Sequence, residues 1–261
     1  MGGYGLNNLK YDLMSGNFYT VYQPIVSSSN IEIIYSEVLT RLKGNSKIRI
    51  DRIIKLAEEN GLIQDLYDLI TNKVGQFLYY YPIQRYGVER LSINVSPYQL
   101  IGDAFTMYGK LTTNFYKWRV HPRQIALEIT ESKEIGNRAE VSKLIKMLRR
   151  DGFLIMLDDF GSECSNFNAL IDFEFDLLKM DKHIIDKLDS NNNMRKVMYN
   201  INALKSSGYE ILIEGIDRDN FELAVKLKCD YYQGFLFSKP LMTSDYLRLI
   251  RSRNRNRFAY C

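Results

Sequence analysis

The sequence predicts an α/β fold closed into a (β/α)8 TIM-like barrel, with one antiparallel strand running against the others. Three observations carry this expectation. After an opening hairpin, apolar strand-like runs alternate with helix-period stretches, the mark of βα units around a parallel sheet. About eight such runs fall within 261 residues, which suits a closed barrel better than an open sheet. Several of the runs end in carboxylates: Ala126-Leu127-Glu128-Ile129-Thr130-Glu131, Ile155-Met156-Leu157-Asp158-Asp159-Phe160-Gly161 and Ile211-Leu212-Ile213-Glu214-Gly215. In such barrels the strand ends are where loops build sites.

The elements follow in order. Tyr19–Val26 and Ile31–Leu39 are apolar strand-like runs around the turn cluster Ser27-Ser28-Ser29-Asn30, which makes them a hairpin. Arg52–Glu59 and Gln64–Tyr80 carry apolar residues at helical spacing. Arg90–Val95 reads as a strand, Phe105–Trp118 as a helix and Gln124–Ile129 as a strand. Arg138–Asp151 is an amphipathic helix, Phe153–Leu157 a strand, Asn166–Phe173 a helix and Leu177–Met180 a strand. Ser190-Asn191-Asn192-Asn193 reads as a loop entering a helix at Met194–Ser207. The last units are a strand at Ile211–Glu214, a helix at Asp219–Lys228, a strand at Tyr232–Phe235 and a helix at Ser244–Arg251. Residues 1–17 are taken as an N-terminal extension, 18–251 as the barrel and 252–261 as a basic tail.

Composition sets the broad class. Hydrophobic content of 46% and charged content of 25% are those of a globular chain with a sizeable core. Nineteen tyrosines and thirteen phenylalanines argue against extended disorder. The net charge of +4 is too small to argue for specific nucleic-acid binding. Much of the excess sits at Arg248, Arg251, Arg253, Arg255 and Arg257, and no acid follows Asp245 to offset them. Cys164, Cys229 and Cys261 are too few and too widely spaced for a disulfide framework or a zinc pattern, so a reducing, cytoplasmic setting is expected. No apolar run reaches transmembrane length, and no signal-peptide pattern follows Met1.

The candidate site residues are Glu37, Asn94, Glu128, Asp158, Asp159, Lys179, Glu214 and Gln233, each in or just after a proposed strand. Converging carboxylates repel one another unless cations sit between them. Almost all of the set are oxygen donors, and neither His121 nor His183 falls in the pattern, which favours hard cations, Mg²⁺ or Mn²⁺, over a histidine-based zinc or iron site. The adjacent pair Asp158-Asp159 suits two neighbouring ions, an arrangement used for phosphoester hydrolysis.

These residues resemble the EAL-domain phosphodiesterases that act on cyclic di-GMP. The signature triplet stands here as Glu37-Val38-Leu39 within Ser36-Glu37-Val38-Leu39-Thr40-Arg41. Tyr22-Gln23-Pro24-Ile25 precedes it, and Asn94-Val95-Ser96, Leu127-Glu128-Ile129-Thr130-Glu131-Ser132 and Asp158-Asp159-Phe160-Gly161 follow. Leu178-Lys179-Met180-Asp181, Glu214-Gly215-Ile216 and Gln233-Gly234-Phe235-Leu236-Phe237-Ser238-Lys239-Pro240 complete the ordered set. The resemblance implies hydrolysis of cyclic di-GMP to linear pGpG. It implies that Glu37, Asn94, Glu128 and Asp158 hold one metal, and that Asp158, Asp159 and Glu214 hold a second. Lys179 would orient the attacking water, Glu214 would serve as a candidate general base and Gln233 as a polar support. Gln23, Arg41 and Pro240 would meet the dinucleotide. Glu131 would tether the loop after Asp159, which the resemblance links to a homodimer interface; the input would come from expression level, oligomerisation or a regulatory protein partner.

The sequence departs from the family pattern at Glu163, where a glycine is common, at Asp217, where Glu is usual, and at Val38, where the signature has alanine. Glu163 keeps open a second reading, a catalytically silent cyclic di-GMP receptor that signals through a protein partner. A third, a barrel that binds no nucleotide and acts as an interaction module, is separated from both by a binding assay.

Overall fold

The computed structural model describes residues 4–44, 48–130, 136–161, 168–188 and 191–253. Its strands are β1 (Phe18–Ser27), β2 (Ile33–Leu42), β3 (Arg90–Val95), β4 (Ile125–Thr130), β5 (Leu154–Phe160), β6 (Leu177–Met180), β7 (Glu210–Ile213) and β8 (Tyr231–Gln233). They close into a barrel in chain order. β1 is antiparallel to both β2 and β8, and every other neighbouring pair is parallel. The one reversed strand is therefore β1, as the opening hairpin predicts.

The helices are α1 (Leu6–Met14), α2 (Ile50–Glu59), α3 (Ile63–Tyr80), α4 (Ala104–Lys117), α5 (Arg138–Asp151), α6 (Asn168–Asp172), α7 (His183–Asp186), α8 (Asn191–Ser206), α9 (Phe221–Leu227) and α10 (Thr243–Arg253). Local chemistry sets several of their ends. Asp103 accepts from the N–H groups of Phe105 and Thr106 to start α4, and Asn137 accepts from that of Ala139 to start α5. Gly152, in the left-handed region at φ 107°, stops α5. None of the described helices is long and apolar enough to cross a membrane.

Two of the helices have little signal in the sequence. α1 turns the fully buried Leu9 onto the core and packs against α2 and α3. The spacing of Leu6, Leu9 and Leu13 was its only signal. α7 is a four-residue turn too short to show a period.

Side-chain alternation divides the apolar interior in two. Outward residues of the strands, such as Leu91, Ile93, Leu127, Ile155 and Ile213, meet the helices in one large cluster. Inward residues form a second, smaller one: Ile25, Tyr35, Ala126, Leu154, Met156, Leu177 and Leu212. This inner cluster fills the middle of the barrel, as the stacked side-chain layers of such folds do. Polar side chains lie above and below it. Below, the Tyr231 hydroxyl donates to Glu210 at 3.1 Å and lies 3.4 Å from that of Tyr35. Above lies the candidate site.

The antiparallel seam is closed by aromatic stacking. Tyr22 sits between Phe77 of α3 and Tyr246 of α10, with ring centroids at 4.7 and 4.8 Å. The Tyr246 hydroxyl reaches Ser36 Oγ at 2.9 Å, tying α10 to β2. Pro24, awkward within a sheet, is tolerated because β1 is paired with β8 only over Ile25–Ser27, so its missing N–H breaks no ladder there.

Candidate active site

Period-two alternation delivers one polar side chain from each strand to the same mouth. Gln23 comes from β1, Glu37 from β2, Asn94 from β3, Glu128 from β4, Asp158 from β5, Lys179 from β6 and Gln233 from β8, while Glu214 stands directly after β7. Register aligns neighbours: Gln23 opposes Glu37, and Asn94 opposes Glu128. The sequence-predicted acids, amides and lysine are thus brought together.

Glu37 is held from two sides. Its Oε1 accepts from Asn94 Nδ2 at 3.1 Å and its Oε2 from Gln233 Nε2 at 2.7 Å. Gln233 therefore meets Glu37 directly, a contact between the second and last strands. Lys179, 1% exposed, puts Nζ at 2.5 Å from Glu128, 2.7 Å from Glu214 and 3.0 Å from Asp158. Asp159 lies at the rim in the left-handed region at φ 55°, which Asp tolerates better than most side chains. The register of β5 against β6 shifts between Leu157 and Phe160, a bulge that re-aims consecutive residues at this strand end.

Charge crowding sets the proton affinities. Burial, with Glu37 and Asp158 adding repulsion, pushes Glu128 up to about 8 against the pull of Lys179. Burial likewise raises Glu214 to about 7, and Asp158 and Glu37 add to it. Asp159 is raised by burial and by Asp158. Lys179 is desolvated, yet Glu128, Glu214, Glu37 and Asp158 lift it well above its usual value. These shifts describe one cluster: several carboxylates compete for one ammonium, which stays protonated while the least compensated acid keeps its proton.

The donor set fits a hard cation. Glu128 Oε1 and Gln233 Oε1 are buried oxygens with no hydrogen-bond partner. Asp158 Oδ1 and Glu214 Oε1 touch Lys179 without hydrogen-bond geometry. Lone pairs left over in a buried acidic centre call for further positive charge. Among the described residues no three acidic or imidazole side chains are already drawn around a common point; the ammonium of Lys179 stands among them instead.

Linkage follows from these shifts. Glu128 titrates near 8 in the folded chain against an ordinary value of 4.5, so the metal-free fold is favoured below that ordinary value and loses the contribution as pH rises toward 8. Urea midpoints taken with chelator at pH 5 and pH 8 should fall with pH in the native sequence and fall less in Glu128→Gln. An equal fall in both would remove Glu128 as the source.

Two pockets flank the acidic centre. One, of about 380 Å³, runs past Arg41, Glu58, Ser96 and Gln99; the other, of about 310 Å³, past Gln23, Lys182, Asp217 and Phe235. Arg41 donates to its neighbour's carbonyl, Thr40 O, at 2.8 Å. Gln23 Nε2 donates to Ser238 O at 3.4 Å, next to the strap that pairs Leu241 with Tyr22. Pro240 lies half-buried on that strap and lines neither pocket. Glu131 and Glu163 lie outside the described residues. Asp217 caps its own turn, accepting from the N–H groups of Asp219 and Asn220 at 2.9 and 3.1 Å. A short side chain suits that role, which gives the departure from Glu a local reason.

Sequence reasoning missed Glu58, whose carboxylate accepts from Ser96 Oγ at 2.7 Å beside Arg41. Its helix carries no motif, although Ser96 belongs to the Asn94-Val95-Ser96 motif. Phe235, which its sequence context reads as core, is instead 64% exposed at the other pocket, with Lys239 Nζ 5.6 Å from its ring centre.

Gly234 fixes the end of β8. A Cβ there would meet Ile216 O at 2.0 Å, where Ile216 N donates to Gln233 O and Leu236 N to Ile216 O, both at 3.0 Å. Gly234→Ala should cost at least about 2 kcal/mol in urea denaturation, because backbone blocks the methyl group. An unchanged midpoint would show that the turn yields.

Fold and mouth together define a TIM-type α/β barrel with an acidic centre at the C-terminal ends of its strands. The chain belongs to the EAL domain family, whose model it matches over residues 6–240. It is 34% identical over 234 residues to the probable cyclic di-GMP phosphodiesterase PdeB of Escherichia coli (strain K12), covering 87% of this chain and 43% of that protein. It is 26% identical to the oxygen sensor protein DosP of the same organism, over 91% of this chain and 30% of that protein. The chain thus spans less than half the length of these curated relatives. Among solved structures, the EAL enzyme Bd1971 in its cAMP and cyclic-di-GMP bound form superposes with a TM-score of 0.79 at 25% identity, covering 94% of this chain and 68% of that one. The PaMucR phosphodiesterase in complex with c-di-GMP shares the fold, with a TM-score of 0.79 at 22% identity over 91% of this chain and 99% of that one.

Proposed function

We propose that this protein is a metal-dependent phosphodiesterase that hydrolyses cyclic di-GMP to linear pGpG. The observation that carries the reading is the convergence of Glu37, Asn94, Glu128, Asp158 and Glu214 with Lys179 at one barrel mouth. Two relatives supply the ligand class: one is named for this activity and one solved structure holds the dinucleotide.

Glu37, Asn94, Glu128 and Asp158 would hold one Mg²⁺ or Mn²⁺, and Asp158, Asp159 and Glu214 a second. Such ions neutralise a phosphodiester and lower the pKa of water. The chain's own residues do the rest. Lys179, held protonated, donates to the attacking water and keeps its oxygen in line. Glu214, titrating near 7, accepts the proton that water loses as its oxygen bonds to phosphorus. The P–O3′ bond then breaks, and the leaving oxygen takes a proton from solvent. Gln233 holds Glu37 in place, and Arg41 offers its planar fork to the phosphate. Gln23 and Pro240 shape the far side.

One observation favours the silent receptor: Lys179 already compensates three of the acids. Purified protein with Mg²⁺ or Mn²⁺, an EDTA control and a parallel binding assay separates the two. Metal-dependent pGpG is expected; tight binding without turnover would overturn hydrolysis in favour of the receptor.

A further inference from the structure

A cleft of about 800 Å³ lies at the end of the barrel away from the acidic mouth. Its walls are the starts of strands: Arg90 opens β3, Leu154 opens β5 and Glu210 opens β7. Five cations line it, Arg90, Arg123, Lys146, Arg149 and Arg150. The acids present are Glu174, Asp176 and Glu210, which leaves a formal excess of 5 − 3 = 2 positive charges.

Those acids are already engaged. Arg149 donates Nε and one terminal nitrogen to Asp176 at 3.0 and 2.8 Å, and the other terminal nitrogen to Glu174. Lys146 stands 3.8 Å from Glu174, and Glu210 accepts from Tyr231. Arg90 and Arg123 are different. Half-buried Arg90 donates only to carbonyls, Gly152 O at 2.9 Å and Ile125 O at 3.3 Å, and no carboxylate pairs with it among the described residues. Arg123 makes no ion pair there either, and its stem lies across Gly152, where a Cβ would meet Arg123 Cγ at 2.8 Å. One glycine thus seats two guanidinium side chains that no carboxylate pairs directly among the described residues. Burial weakens the hold of Arg90 on its proton and Arg123 adds repulsion, while Tyr35, Glu89 and Asp176 pull the other way.

We propose that this floor cleft binds an oligophosphate group, free or carried on a nucleotide, between Arg90 and Arg123 with Arg150 at the rim. Guanidinium forks match phosphate oxygens in geometry as well as charge. The volume lies within the range of small-molecule sites, roughly 300–1,000 Å³. An excess of two positive charges calls for more than one negative charge in the ligand. The mouth cannot take the same group without metal, because its carboxylates outnumber Lys179.

The test is calorimetric titration of the full chain in EDTA with inorganic pyrophosphate, ATP and adenosine. Saturable pyrophosphate binding is expected, with none for adenosine. Arg123→Ala, at an exposed side chain that leaves the urea midpoint in place, should weaken it at least tenfold. Arg90→Lys, which keeps the charge but removes the fork, should do the same. Arg41→Ala at the mouth should leave it unchanged. Tighter ATP binding would identify a nucleotide as the carrier, and weaker ATP binding the free anion; either supports the site. Absent saturation, affinity unmoved by Arg123→Ala, or affinity lost in Arg41→Ala would each overturn it.

Discussion

Lys179→Met should destabilise the metal-free protein by about 3–5 kcal/mol at pH 8, the usual cost of removing one partner from a buried ion pair. The ammonium touches Glu128, Asp158 and Glu214, and no other lysine or arginine comes within ion-pair distance of those three acids among the described residues. Without it they repel one another in a buried setting. The loss should shrink at pH 5.5, because Glu128 and Glu214, already raised to about 8 and 7, then accept protons and need no counter-charge. It should shrink also when Mn²⁺ is added at pH 8, since a divalent ion can serve where the ammonium stood. Turnover should nonetheless stay low, by on the order of 10²–10³, because the water loses its positioned donor. Urea denaturation at two pH values, with and without metal, reads the first effect, and pGpG formation the second. A variant as stable as the native chain under all conditions would show that the acids do not depend on this cation.

Glu37→Ala separates chemistry from folding in the opposite sense. The substitution removes one negative charge from a crowded mouth and leaves the amides of Asn94 and Gln233 without their acceptor. An orphaned buried donor costs about 1–3 kcal/mol, and relief of repulsion offsets part of it, so the chain should remain folded. Turnover should fall below about 1% of the native rate. Outer partners of a metal site are each worth roughly 10–100-fold, and here a proposed ligand is lost together with the anchor of two neighbours. Unchanged turnover in a folded variant would sink the metal assignment.

The barrel was legible because its signals are local and redundant. The runs at Arg90–Val95, Arg138–Asp151 and Leu177–Met180 coincide with the observed elements to the residue, and each changes period abruptly at its ends. Strand ends were blurrier. The apolar run makes Glu214 the last residue of its strand, but the chain turns at Gly215, at φ 65° and pressed against Lys182, so Glu214 stands just beyond it. The membership of the site was legible for the same reason as the strands, since each residue sits at a strand end. Distances were not. Sequence order shows which staves carry acids, but only closure puts Lys179 among three of them and Gln233 against Glu37. Contributions from unmarked helices, such as Glu58, have no periodic or motif signal to betray them. The floor residues Tyr35, Arg90, Glu210 and Tyr231 are displaced from Glu37, Asn94, Glu214 and Gln233 by even numbers, so alternation places them on the same inner face.

The closing strand of the barrel also governs when a working molecule can first exist. β8 is held by three pairs to β1 and two to β7, whereas β1 and β2 share nine. Glu37 waits for a partner 196 residues further along the chain, and Tyr22 for the ring of Tyr246. During synthesis the opening hairpin and the first helices can settle while the ribosome is still making the rest. The mouth stays open-sided until the last stave arrives. Prematurely terminated chains should therefore be inert however much of the barrel they contain, and full-length chains should gain function late and all at once, with long-range closure setting the pace.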